Sequence, residues 1–83
     1  MYYFIVFGSV TVASRIKKYF SHDADYLGVM HTPGEISNGG CSYCVKVKPS
    51  KLSQVLEASR KFGYKIRGIY KQTDDGKFFE VSL

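Results

Sequence analysis

Apolar and polar positions along the chain switch period in a regular way. Tyr2–Phe7 is apolar at every position and stops at Gly8, the pattern of a central strand covered on at least one face. Val12, Ile16 and Phe20 then recur every four residues with Ala13 and Tyr19 beside them, while Arg15, Lys17 and Lys18 point elsewhere. This predicts an amphipathic helix, capped by Ser9 or Thr11 and ending near His22 and Asp23. Residues 26–30 read as a second strand, closed by Thr32-Pro33, and residues 33–40 as a loop holding the Asn38-Gly39-Gly40 run.

From 41 to 48 the chain alternates. Cys41, Tyr43, Val45 and Val47 lie on one side, and Ser42, Cys44, Lys46 and Lys48 on the other, as in a half-buried strand. Pro49 ends it, and Ser50 is expected to cap a second helix with Leu52, Val55, Leu56, Ser59 and Phe62 on one face and Gly63 at its left-handed end. Residues 64–71 form a fourth strand, Asp74-Asp75-Gly76 a hairpin turn, and residues 78–81 a short fifth strand. The order βαββαβ predicts a ferredoxin-like α+β sandwich with both helices on one sheet face, a C-terminal hairpin strand being added beside strand four. A rearranged α+β sandwich of the same elements is the alternative.

Length and composition narrow this further. The chain has 83 residues, which predicts a single domain spanning 1–83 with no room for a second. Hydrophobic residues at 45% and charged residues at 23% exclude a disordered tail or collagen-like repeat. Twelve Lys plus Arg against seven Asp plus Glu give +5, which favours anionic partners without naming one. The run Tyr2–Phe7 is too short for a membrane span and lacks the basic start of a signal peptide, so a cytoplasmic protein with no membrane partner is expected. Two cysteines are too few for a disulfide framework, and both are expected to be thiols in a reducing compartment.

Those thiols are the main candidate chemistry. Cys41 leaves a Gly-rich loop, where successive backbone N–H groups can converge on sulfur and favour the nucleophilic thiolate. Glu35, Ser37, Asn38, Gly39, Gly40 and Ser42 would build that loop, and Lys46 and Lys48 would add positive charge on the alternate face. The bland reading makes Cys41 a small apolar space filler under the second helix. Cys44 completes a Cys-x-x-Cys, either as a resolving thiol or by coincidence. Redox motifs of this kind open helices, whereas this one leads into a strand, where the two side chains face opposite ways. His22 and His31 have no recognised metal spacing to the cysteines, so no metal and no cofactor is expected. His31 could serve as a base, although a lone strand-end His is more often simply exposed; Glu35 suits a cap or salt bridge. Arg15, Lys17, Lys18, Arg60, Lys61, Lys65 and Arg67 are dispersed as on a solvated face. Tyr and Phe on an open sheet face are also a feature of RNA-recognition modules, but their consensus motif is absent, and nucleic acid is not the expected partner.

Thr32-Pro33, Glu35-Ile36-Ser37, Cys41 and Gly68-Ile69-Tyr70, following the strand Tyr2–Phe7, resemble the putative selenium/sulfur carrier-like family of short bacterial and archaeal proteins over about residues 2–71. Where that family usually has Arg after the Pro and Gly after the Cys, this chain has Gly34 and Ser42. Aligning the Cys takes one extra residue in Asn38-Gly39-Gly40, which brings Lys46 to a usual Arg position. The resemblance implies a carrier that holds a persulfide or selenosulfide on Cys41 and passes it between donor and acceptor proteins, more a carrier than a stand-alone enzyme. Two other readings stay open. One is a non-catalytic binding or regulatory module that uses the open sheet or forms a homodimer through the terminal hairpin; the other is a Cys-x-x-Cys thiol redox protein.

Overall fold

The computed structural model describes residues 1–20, 26–34, 36 and 43–81. It contains β1 (Tyr2–Phe7), α1 (Val10–Tyr19), β2 (Tyr26–His31), β3 (Tyr43–Val47), a 3-10 turn (Pro49–Lys51), α2 (Leu52–Phe62), β4 (Ile66–Gln72) and β5 (Phe78–Glu80). The strands form one five-stranded sheet in the order β2-β3-β1-β4-β5, with every neighbouring pair antiparallel. The fold is α+β, and β5 extends the sheet beside β4 as the hairpin pattern predicts.

The pleat divides the side chains between two apolar layers. Ile5, Phe7, Val45, Val47 and Ile69 meet Ala13, Ile16 and Phe20 of the α1 region and Val55 and Ala58 of α2, so both helices cover the same sheet face. Residues of alternate parity, Phe4, Val6 and Cys44, form a second cluster on the opposite face with Ile36. Within β1, Ile5 and Phe7 therefore pack under the helices, and Phe4 and Val6 do not.

The helix ends show where local signals hold and where they do not. Ser9 caps α1, its side chain accepting from the Thr11 amide at 3.1 Å. The helix stops at Tyr19, short of His22, with the Phe20 amide donating to the Ile16 carbonyl. Ser50 does not cap α2. Pro49 instead opens a 3-10 turn, and the helix starts after it with no side-chain cap at Lys51. Gly63 ends α2 in the left-handed region (φ 73°), and the Tyr64 amide donates to the Ser59 carbonyl at 2.8 Å. That bond ties Tyr64 to the helix end, and β4 begins two residues later than the apolar pattern suggests.

The buried arc of α2 also lies to one side of the predicted stripe. Val55, Ala58 and Ser59 are buried, whereas Leu52 and Leu56 are only partly covered and Phe62 is 44% exposed. The small side chain of Ala58 lets the helix approach the sheet along that line. Ser59 is tolerated there because its hydroxyl donates to the Val55 carbonyl at 2.9 Å.

Candidate functional site

Cross-strand pairing brings the two ends of segment 32–42 together. Met30 pairs with Cys44 and His31 with Tyr43, and the His31 and Tyr43 rings lie 4.5 Å apart. Cys41 precedes Tyr43 by two positions in the chain. Together with Glu35, Ser37, Asn38, Gly39, Gly40 and Ser42 it lies outside the described residues, as does His22. Cys44, Lys46 and Lys48 are described.

The start of the segment turns at once. The Ile36 amide donates to the Pro33 carbonyl at 3.0 Å, and the Ile36 side chain is buried to 7% exposure against Phe4, Val6 and Cys44. Ile36 therefore packs on the helix-free face in one cluster with the second cysteine.

Cys44 is a free thiol with no solvent exposure. Burial pushes its pKa from 9.0 up to about 11, against smaller opposing effects of a hydrogen bond with the Thr32 side chain and of the Lys46 charge. Its Sγ also lies 4.0 Å from the His31 carbonyl, which can accept from the thiol. At neutral pH this sulfur is protonated and shielded, the opposite of what a nucleophile needs.

Cys44 and Lys46 share the helix-free face, as their alternation predicts. The Lys46 ammonium sits 4.5 Å from the centre of the Tyr2 ring and 5.7 Å from that of Phe4. Phe4 in turn packs edge-on against Phe78 at 5.2 Å. Lys48 follows β3 and is exposed.

The Gly68-Ile69-Tyr70 motif reaches the same face from the other side. Gly68 pairs with Val6 and Tyr70 with Phe4, while Ile69 points to the helices. The Tyr70 ring folds back over Gly68, whose missing Cβ leaves room for it. Tyr2, Tyr70 and Phe78 then border the cluster of Phe4, Val6, Ile36 and Cys44. Thus the Thr-Pro turn with Ile36 and the Gly-x-Tyr step, which is distant from it in sequence, meet on one surface.

Sequence reasoning missed Ile36 as the cover of Cys44, because a single apolar residue in a loop has no periodicity. The Gly-x-Tyr spacing did carry a usable signal, since residues two apart in a strand share a face. His31 is exposed at the strand end. Among the described residues no group of three His, Cys, Asp or Glu could hold a metal, and no helix is long and apolar enough to cross a membrane.

Neither a curated protein nor a solved structure matches the chain. A family model described as Putative Se/S carrier protein-like matches residues 2–71, from the start of β1 almost to the end of β4, and so takes in both the Thr-Pro segment and the Gly-Ile-Tyr motif. On that match the chain belongs to the Putative Se/S carrier protein-like family.

Proposed function

We propose that the protein carries sulfur or selenium as a persulfide or selenosulfide on Cys41 and passes it between partner proteins. The observation that carries this reading is the state of Cys44. The chain has two cysteines, and Cys44 is buried, uncharged and covered by Ile36, which leaves Cys41 as the sulfur suited to attack. The family assignment supplies the class of cargo. The strand order β2-β3-β1-β4, with each helix crossing over an intervening strand, supports a ferredoxin-like assignment with β5 as an addition.

In the exchange, the Cys41 thiolate attacks the outer sulfur of a donor cysteine persulfide. The donor's S–S bond breaks as the new Cys41 S–S bond forms, and the donor cysteine leaves as a thiolate that takes up a proton. A thiol on the acceptor then attacks the outer sulfur in the same way and regenerates the Cys41 thiolate, with no net oxidation. Selenium follows the same exchange from a donor selenosulfide. In this proposal backbone N–H groups of Asn38, Gly39 and Gly40 would stabilise the terminal anion. Cys44 then has a packing role rather than a resolving one, and a reducing cytoplasm suits the free thiols.

Peptide mapping tests the assignment. After incubation with a cysteine desulfurase and cysteine, followed by alkylation, the additional sulfur is expected on Cys41. Finding it on Cys44 would contradict the reading. A second reading, a non-catalytic binding module, draws on the partly exposed rings of Tyr2, Tyr70 and Phe78 beside Lys46. It predicts no loading of either cysteine.

A further inference from the structure

The helix-covered side of the molecule carries an aromatic surface that the Cys41 chemistry does not use. Tyr19, at the end of α1, is 55% exposed, and Phe62, at the end of α2, is 44% exposed. Their rings meet edge-to-face at 5.4 Å, and Phe62 continues to Tyr64 at 5.7 Å. Other exposed large apolar side chains, such as Met30 and Phe79, lie on different strands, so this linked trio is a patch rather than scatter.

The trio forms the apolar wall of a cleft of about 220 Å³, whose remaining lining is Arg15 and Lys18. No Asp or Glu lines it among the described residues; Glu57 lies in a separate groove that shares only Tyr19 with it. Toward the start of α1, Val12 lines a second cleft with Lys65 and Arg67, again without a carboxylate among the described residues. Among the described residues the charged groups lining both clefts are therefore basic, and an acidic occupant complements them.

The size of the cleft and its ring wall narrow which anion fits. The Tyr19 ring is packed edge-on by both Phe20 and Phe62, and the Lys61 ammonium lies 5.7 Å from the centre of the Phe62 ring. A cleft of about 220 Å³ accepts one apolar side chain against the rings, and Arg15 and Lys18 at its rim suit carboxylates on either side of it.

We propose that the cleft between α1 and the end of α2 docks an acidic segment of a partner protein, one apolar side chain entering beside Tyr19, Phe62 and Tyr64 while its carboxylates pair with Arg15 and Lys18. This docking does not depend on the Cys41 reading.

The probe is a short fluorescein-labelled peptide of Glu and Asp around a central Leu-Phe pair, titrated by polarisation and by amide chemical shifts. Binding is expected to shift residues 15–19 and 62–64. Tyr19→Ser with Phe62→Ser, and separately Arg15→Glu with Lys18→Glu, should each weaken it at least roughly tenfold. These side chains are surface-exposed, and far-UV circular dichroism checks that each variant folds. Lys71→Glu with Lys77→Glu should leave affinity within about twofold, since those charges lie away from the cleft. No binding, equal weakening by the Lys71 and Lys77 pair, or preferential binding of oligo-dT at the same residues would overturn the proposal.

Discussion

The Tyr70 ring lies across Gly68 so closely that a β-carbon at position 68 would come within 3.0 Å of Cε2 and 3.4 Å of the phenol oxygen. Position 68 pairs with Val6, and Val6 on its other side pairs with Cys44. The glycine thus lets a tyrosine on β4 lean toward the row that holds the buried thiol.

This contact predicts a non-additive pair of substitutions. Gly68→Ala should push the ring away and destabilise the protein by about 1 kcal/mol. In a Tyr70→Ala background the same change should be neutral or stabilising by roughly 0.4–1 kcal/mol, because alanine restricts the unfolded chain. A double-mutant cycle from urea denaturation measures the coupling. Additive effects would mean that the ring does not depend on Gly68.

Ile36 is expected to shield Cys44. Ile36→Ala should cost about 2–3 kcal/mol by removing a buried side chain, and should speed Cys44 alkylation in the native protein. Labelling kinetics followed by peptide mapping, in a Cys41→Ser background, read this directly. An unchanged rate would show that something other than Ile36 excludes the reagent.

The raised Cys44 pKa has a consequence for stability at alkaline pH. Below about 9 the thiol is protonated in both folded and unfolded chains and contributes no pH dependence. As pH rises from 9.0 toward about 11, the unfolded chain loses this proton first, so ionisation draws the protein toward unfolding. Stability should therefore fall across that window, and less steeply in Cys44→Ala than in the parent. Denaturation midpoints at a series of alkaline pH values provide the comparison, and parallel curves would contradict the burial of this thiol.

Core substitutions should reflect the observed burial rather than the predicted stripe. Ile16→Ala, at a fully buried site, should cost about 2–5 kcal/mol, while Leu56→Ala, at a partly covered one, should cost about 1–2 kcal/mol. Equal costs in thermal or urea unfolding would place Leu56 deeper than the structure does.

That contrast shows what could be read from the chain alone. Element types and order were legible because β1 is uniformly apolar, β3 alternates, and α1 and α2 repeat at helical spacing. The packed arc of α2 was less so, because the large residue Phe62 drew attention that belonged to small Ala58. Local capping rules placed Ser9 and Gly63 correctly but not Ser50, where Pro49 imposes a 3-10 turn first. The second apolar layer was hidden more deeply. Ser42, Cys44 and Lys46 look like a solvated face until Ile36 and Phe78, from distant segments, close over Cys44 and Phe4. Tertiary contacts of that kind have no local signature.

The central claim, that Cys41 is the carrying sulfur, is tested most directly by intact mass after incubation with a cysteine desulfurase and cysteine. The parent chain and Cys44→Ala should each gain the mass of one sulfur atom, removable by a thiol reductant, and Cys41→Ser should gain none. Loading of Cys41→Ser, or failure of both the parent and Cys44→Ala to load, would contradict the account.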